Sequence, residues 1–176
     1  MRQGNTFMID NKGDTVHTWY GNSPVLNTYL INDGPLAGKL MRVVVHADNT
    51  GNLVPSEVRW GGAQGVLEVV DFNSQVLFRY TLSGEYDLDG VVRKVVFHHD
   101  YSYRSVTNSV FLLNWVYYDY DECVKAGRDP ALMTENVGIG FEQVIEIPID
   151  ITAKHKNILT DSTVLLNHVI AEQCID

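Results

Sequence analysis

The sequence predicts a mainly β protein, built as a single antiparallel β-sandwich or barrel with one short helix near residues 121–127. Three observations predict this class. One segment alternates between an apolar and an acidic face, three others have the layout of β-hairpins, and a long apolar run has the composition of a central strand. A chain of 176 residues fits one domain, so we expect residues 1–176 to form a single β-rich domain.

The clearest strand signal is the segment FEQVIEIPIDI, residues 141–151. Successive side chains of a strand point to opposite faces. This alternation gives the segment one apolar face, which also carries Gln143, and one face with three carboxylates. The apolar face comprises Phe141, Ile145, Ile147, Ile149 and Ile151, and the other comprises Glu142, Val144, Glu146, Pro148 and Asp150. The pattern predicts a half-buried strand whose acidic face is made by Glu142, Glu146 and Asp150.

Three segments of the first half have the layout of a hairpin: residues 7–20, 41–60 and 67–82. Their arms are rich in Val, Phe, Tyr, Trp or Thr, the residues that fit a pleated surface. The arms flank the quartets DNKG at 10–13, DNTG at 48–51 and DFNS at 71–74. Asn and Asp tolerate a left-handed backbone and Gly adopts it at no steric cost, so each quartet favours a tight turn.

Two glycine-containing segments interrupt this series of strands. We expect residues 61–65, GGAQG, to form a loop between two sheet segments. We expect residues 84–90, GEYDLDG, to form a turn-rich connection. Residues 91–103, VVRKVVFHHDYSY, then resume as a strand.

The run at residues 109–120, SVFLLNWVYYDY, predicts a central strand that is buried on both faces. The short helix is expected directly after it, with Asp121 as its N-cap, Glu122 in its first turn and Gly127 at its end. The tail, residues 160–176, fits either a short helix or a strand, and we favour the strand.

Composition limits the classes of function. Apolar residues make up 45% and charged residues 20% of the chain, which is typical of a folded domain. The apolar runs are too short to span a bilayer and the N-terminus lacks signal-peptide features, so we expect no membrane location. The two cysteines are expected to be free thiols. The net charge is −9 and the 13 basic residues are scattered, so we expect no specific nucleic-acid binding.

The densest group of titratable residues is His98-His99-Asp100. Neighbouring residues on a strand point to opposite faces, so His98 and His99 cannot easily share a metal, whereas His98 and Asp100 could face one way. Residues 87–90 have the composition of a calcium loop but lack its later ligands, and a turn explains them. The chain has no phosphate-binding, dinucleotide or nucleophile motif. We therefore predict no catalytic, metal or cofactor site and no enzyme.

Aromatic residues cluster in the third quarter of the chain. Tyrosine and tryptophan supply rigid contact area in protein interfaces and in carbohydrate sites. Half-buried sheet aromatics and a sugar-binding platform are alternative explanations of the cluster. The candidates for an interface are Tyr101, Tyr103, Trp115, Tyr117, Tyr118 and Tyr120.

Three classes of function remain open. The first is a non-enzymatic structural subunit of a larger symmetric assembly, which the hairpins and the acidic charge favour. The second is a carbohydrate- or protein-binding β-sandwich module. The third is an enzyme whose site is assembled from dispersed His and Asp residues such as His98 and Asp100.

The hairpin series from Phe7 to Leu82 and the strand at 141–151 resemble virion structural proteins of bacteriophages and small viruses. The ending STVLLNHVIAEQCID is similar to the closing strand of small phage jelly-roll spike proteins. The resemblance implies a jelly-roll or tail-tube-like fold and a role as tail tube, tail-completion, connector or capsid-associated protein. It implies copies of itself and other virion proteins as partners, and a location in the virion after assembly in the host cytoplasm, or otherwise in the cytoplasm. In a tube, an acidic lining would let DNA slide past.

Overall fold

A computed structural model of the chain describes residues 4–45, 63–81, 84–88, 90–133 and 139–152. This part of the chain is mainly β, with one α-helix, α1, at Tyr120–Lys125. Short 3-10 turns lie at Gly34–Leu36 and Pro130–Leu132. The described strands are β1 Thr6–Ile9, β2 Thr15–Trp19, β3 Val25–Leu30, β4 Leu40–Val44, β5 Ala63–Gln64, β6 Val66–Val70, β7 Val76–Thr81, β8 Gly84–Leu88, β9 Val91–Arg104, β10 Ser109–Tyr118 and β11 Ile139–Pro148.

The strands form three antiparallel sheets. Strands β1 and β2 make a hairpin, and the four-stranded sheet has the order β3-β4-β6-β7. The five-stranded sheet has the order β11-β10-β9-β5, with β8 also paired to β9. Strands β5 and β8 lie end to end along one edge of β9, since β5 pairs with Phe97 and His98 and β8 with Val91–Val95. Among the described strands no series of pairings closes into a barrel, and the arrangement is sandwich-like.

One hydrophobic core receives buried side chains from both large sheets. Met41 and Leu67 come from the four-stranded sheet, and Phe97, Leu112 and Ile145 come from the five-stranded sheet. Burying a side chain of this size stabilises the folded state by about 1.5–3 kcal/mol. The predicted fold class, mainly β and antiparallel with one short helix, is confirmed.

The alternation predicted for residues 141–151 is confirmed in β11 and the segment that follows it. Ile145, Ile147 and Ile149 are buried in the core between the sheets. Glu142 and Glu146 lie on the opposite face of the strand. Strand β11 pairs only with β10 among the described strands, so it is an edge strand of the sheet there.

Two of the three predicted hairpins are present, and their turns use the same chemistry. Oδ1 of Asp10 accepts hydrogen bonds from the backbone N–H of Lys12, at 2.8 Å, and of Asp14, at 3.0 Å. Oδ1 of Asp71 accepts from Asn73 at 2.9 Å and from Gln75 at 2.8 Å. In both turns an aspartate side chain satisfies backbone donors that the strands leave unpaired.

The connections between strands differ from the sequence prediction. The predicted loop at residues 61–65 contains strand β5 at Ala63–Gln64, which pairs with β9. In the predicted hairpin at residues 41–60, only the first arm is described: strand β4 pairs with β3 along one edge and with β6 along the other. Residues 46–62, which include the predicted turn, lie outside the described part. Residues 84–88 are not a loop but strand β8, because the turn is confined to its end: Gly90 has φ +81° and donates its N–H to Oδ1 of Asp87 at 2.7 Å.

Strand β10 lies between β9 and β11, which confirms its predicted central position. Helix α1 begins two residues earlier than predicted. Asp119, not Asp121, is the N-cap, because its carboxylate accepts from the N–H of Glu122 at 2.8 Å while Glu122 bonds back to the N–H of Asp119. Gly127, with φ +105°, follows the helix as predicted. The tail from residue 153 onward lies outside the described part.

The β1–β2 hairpin covers part of the outer face of the four-stranded sheet. Trp19 of β2 is buried there against Leu40 of β4 and Val70 of β6, with Met8 packed beside them. The Trp19 indole N–H donates to the carbonyl of Asp71 at 3.1 Å. In the described part of the protein, the hairpin therefore forms a third layer on the four-stranded sheet, and no corresponding layer lies on the outer face of the five-stranded sheet.

A buried ion pair lies on the same outer face. Arg42 and Glu68 are cross-strand neighbours on β4 and β6, and their side chains are 4% and 7% exposed. Nε and Nη2 of Arg42 each lie 2.9 Å from Oε2 of Glu68. Arg79 of β7 approaches the other carboxylate oxygen at 3.6 Å and is 46% exposed.

Candidate functional site

The His98-His99-Asp100 segment forms a bulge in β9. Phe97 pairs with Asn114 and Tyr101 pairs with Leu112, so three residues of β9 stand opposite the single residue Leu113 of β10. His99 has φ +56°, a left-handed conformation that a non-glycine residue rarely adopts. The bulge changes the directions of the side chains that a regular strand would have alternated.

The bulge brings both imidazoles to one indole ring. The His98 ring stacks on Trp115 with centroids 4.0 Å apart and an interplanar angle of 10°. Nδ1 of His98 lies 2.7 Å from Nδ1 of His99, so the predicted opposite orientation of the two histidines is wrong. The two histidines come together because the left-handed conformation of His99 interrupts the regular alternation of side chains along β9.

Glu142 of β11 completes this cluster. Its Oε1 accepts a hydrogen bond from the Trp115 indole N–H at 2.9 Å. Its Oε2 lies 2.8 Å from Nε2 of His98, an ion-pair distance at which the ring N–H does not point directly at the oxygen. Burial lowers the pKa of His98 below its ordinary value, although the Glu142 carboxylate opposes this and His99 adds to it. Burial therefore favours the neutral form of the His98 ring.

Asp100 turns away from the histidines. Its Oδ1 accepts from the Asn27 amide at 2.7 Å, from the Tyr29 hydroxyl at 3.1 Å and from the N–H of Tyr101 at 2.7 Å. The expectation that His98 and Asp100 face the same way is wrong, because the bulge directs Asp100 to strand β3 of the other sheet. Asp100 thus links the two sheets by hydrogen bonds.

The cluster of His98, His99, Trp115 and Glu142 ties three strands together. Both ring nitrogens of His98 face protein groups, and the ring is almost fully buried. In the described ranges no three His, Cys, Asp or Glu side chains converge as a metal site would require. The contacts of this cluster connect β9, β10 and β11 to one another, which is a structural role.

The predicted interface aromatics do not form one patch. Tyr101 is buried in the core, where its hydroxyl donates to the carbonyl of Met41 at 2.7 Å and burial raises its pKa. The Tyr103 hydroxyl donates to Oδ1 of Asn108 at 2.8 Å. Both side chains pack on the core face of the five-stranded sheet, so their rings face inward.

The other four aromatic candidates are half-buried and lie in three places. Trp115 and Tyr117 are on the outer face of β10. Tyr118 packs against the core, under the Arg93 guanidinium at 3.9 Å from the ring centroid. Tyr120 is the first residue of α1. The sequence placed these side chains close together along the chain, but strand alternation separates them in space.

The three carboxylates of the predicted acidic face are each bound to a neighbour. Glu142 contacts His98 and Trp115, and Glu146 accepts a hydrogen bond from the Ser109 hydroxyl. Asp150 accepts from the N–H of Thr152 at 2.9 Å. Glu142 and Asp150 are exposed and Glu146 is half-buried. The three form a row in the sequence, with Glu142 and Glu146 on one face of the edge strand β11 and Asp150 two residues after its end.

The β1–β2 hairpin carries an apolar surface that the sequence analysis did not single out. Phe7, Ile9 and Val16 are 57%, 61% and 54% exposed. Phe7 and Ile9 flank Met8, which packs beside Trp19, so they lie on the side of β1 away from Trp19. Val16 is the extra residue of a bulge in β2, since Met8 pairs with His17 and Ile9 pairs with Thr15. We call these three residues the hairpin face. A signal for it was present, since β1 and β2 have apolar residues on both sides where a surface hairpin alternates with polar ones.

None of the described helices is long and apolar enough to cross a bilayer. Cys123 is buried, with its Sγ 3.9 Å from the carbonyl oxygen of Tyr118, and Cys174 lies outside the described part. Comparisons of the chain with protein-family models, with curated proteins and with solved structures find no match.

Proposed function

We propose that this protein is a non-enzymatic structural subunit that associates with copies of itself through the hairpin face. The single observation that carries the proposal is the exposure of Phe7, Ile9 and Val16 together on a hairpin whose other side is packed. Large apolar side chains gathered on one exposed surface mark an interaction site more often than scattered ones do.

The chemistry of the hairpin face suits a second copy of the same surface. The face carries no charge, and Thr18 and Thr15, which pair with Phe7 and Ile9, are also neutral. Two copies can therefore meet across a twofold axis without burying a charge, even though each chain carries a net charge of −9. The acidic remainder of the surface opposes contacts elsewhere and so directs association to this face.

Strand edges offer a second means of association. Strands β3 and β7 end the four-stranded sheet, and each has one edge without a described partner strand. Strand β3 also exposes Leu26, Tyr29 and Leu30. An edge with unpaired backbone groups and apolar side chains is a site where a strand of another chain can be added.

Within this class, the resemblance in the hairpin series and in residues 141–151 favours a virion component, such as a tail tube, tail-completion, connector or capsid-associated protein. In a tube, the row of Glu142, Glu146 and Asp150 would supply a negative lining that lets DNA pass without binding it. Virion location and virion partners belong to this proposal.

The test of self-association is sedimentation velocity over a wide concentration range. Burying a side chain of which more than half is exposed stabilises an interface by about 1 kcal/mol, and a twofold axis counts each residue twice. The double variant Phe7→Ser/Ile9→Ser should thus weaken the dimer by about 4 kcal/mol, or about 10³-fold in Kd.

The matched control is Val106→Ser, because Val106 is 88% exposed in the turn between β9 and β10, away from the hairpin. It should leave association unchanged. A wild-type chain that stays monomeric at millimolar concentration would refute the proposal, as would equal association by wild type and the double variant. Electron microscopy of the associated wild type then distinguishes rings and tubes from simple dimers.

A further inference from the structure

A cavity of about 400 Å³ opens on the outer face of the four-stranded sheet, beside the loop that follows β2. Its volume lies near the lower end of the range of small-molecule sites, so it suits a small ligand. The residues that line it and bear polar groups include Asn22, Ser23, Arg42, Glu68, Ser74 and Arg79. The hairpin face and the His98 cluster are not part of it.

The charges that line this cavity do not cancel. Among the described residues of the lining, Arg42 and Arg79 contribute two positive charges and Glu68 one negative charge, which leaves one positive charge in excess. The other described lining residues are neutral. This excess occurs in a chain whose net charge is −9, so the cavity differs in sign from the protein as a whole.

Arg42 is held rigidly at the base of the cavity. Its Nε and Nη2 each lie 2.9 Å from Glu68, and its Nη1 donates to the carbonyl of Tyr20 at 3.1 Å. A guanidinium has five N–H groups, and these contacts use three of them. A buried guanidinium that is fixed before a ligand arrives loses little conformational entropy on binding.

Arg79 is the more accessible of the two cations. Its Nε lies 3.6 Å from Glu68, too far for a hydrogen bond, and its side chain is 46% exposed. Arg79 therefore competes weakly for the carboxylate that Arg42 already binds. Its guanidinium is the group best placed to pair with an anion that enters from solvent.

We infer that this cavity binds a small ligand with one carboxylate and several hydroxyl groups, of which a hexuronic acid is the type, and that Arg79 anchors the carboxylate. One positive charge in excess among these residues matches a monoanion, whereas a phosphate dianion would leave one negative charge uncompensated in the cavity. Amides of Asn5 and Asn22 and hydroxyls of Ser23 and Ser74 can exchange hydrogen bonds with ligand hydroxyls.

The test is titration of the full chain with glucuronate, glucose and inorganic phosphate, followed by heteronuclear NMR of the backbone amides. Glucuronate should bind with Kd of about 1 mM or below, the affinity typical of a ligand of about 13 non-hydrogen atoms. Shifts should be largest at Gly21, Asn22, Ser23 and Ser74. Glucose and phosphate should bind at least about tenfold more weakly, since each lacks one of the two matched features.

Arg79→Gln should weaken glucuronate binding at least about tenfold, because it removes the charge in excess. Arg104→Gln is the matched control, since Arg104 is exposed on the five-stranded sheet and does not line the cavity, and it should bind like wild type. Three outcomes would each overturn the inference. The first is that glucose or phosphate binds as tightly as glucuronate, and the second is that glucuronate does not bind at about 10 mM. The third is that Arg79→Gln and Arg104→Gln weaken glucuronate binding equally. None of these outcomes depends on self-association.

Discussion

The Arg42–Glu68 pair gives the sharpest prediction about stability. The perturbation is Glu68→Gln, which keeps the shape of the side chain and removes its charge. Arg42 would then hold a buried positive charge at 4% exposure without its counterion. An arginine cannot release its proton at ordinary pH, so it cannot escape the cost by becoming neutral.

The size of the effect follows from burial. Removing one partner of a buried ion pair costs about 3–5 kcal/mol, because the other charge is left uncompensated. Removing a partner that is largely in water costs about 1 kcal/mol or less. The same carboxylate has both kinds of partner, since Arg42 is buried while Arg79 is 46% exposed. Arg79→Gln is therefore the matched control for Glu68→Gln.

The assay is urea unfolding followed by circular dichroism, with thermal unfolding as a second measure. Glu68→Gln should lower Tm by about 6–20 °C and Arg79→Gln by about 4 °C or less. The double variant Arg42→Met/Glu68→Leu should recover most of the loss, because an apolar pair leaves no buried charge. Equal small losses for Glu68→Gln and Arg79→Gln would show that the reasoning from burial is wrong.

Three further predictions concern the helix, the histidine cluster and a turn. Asp119→Ala removes the N-cap of α1 and should destabilise the protein by about 1 kcal/mol in urea unfolding, whereas an unchanged midpoint would contradict the capping role. The pKa of His98 is lower in the folded state, so the imidazole of the unfolded chain takes up its proton first as pH falls below about 6.5. The free energy of unfolding should therefore decline below that pH more steeply in wild type than in His98→Gln. Matching pH profiles from urea midpoints would argue against a neutral buried ring. Gly34→Ala should lower the free energy of unfolding more than Gly38→Ala does, by about 1 kcal/mol or more in thermal unfolding. Both glycines have positive φ, but only at Gly34 would the new Cβ lie close to another atom, the Cβ of Ser105 at 2.7 Å.

Short-range patterns predicted most of the β structure. The period of two in residues 141–151 gave the faces of β11 correctly, and the aspartates at 10 and 71 marked their turns because their side chains act within four residues. The helix start was displaced by two residues because Asp119 and Asp121 both precede acidic first-turn residues. Only the reciprocal bond to Glu122 selects Asp119.

The features that the sequence did not reveal depend on contacts between distant strands. Arg42 and Glu68 are 26 positions apart, and each is the one charged residue within an apolar strand of five. Two such strands with opposite central charges are a signal for a cross-strand pair, but only once the strands are known to be neighbours. The His98–His99 contact depends on a bulge, and the residue types at positions 98–100 do not predict a bulge.

The bulge in β9 also constrains how the chain can change in length. Phe97 and Tyr101 both point into the core. Three residues of β9 lie between them, whereas only Leu113 lies between their partners on β10, so β9 has two extra residues in the bulge. Because two is an even number, the side chains of β9 beyond the bulge keep the same inward and outward alternation. Losing a single residue here would turn Tyr101 and Tyr103 out of the core, whereas losing two in succession would leave every later side chain on its present side.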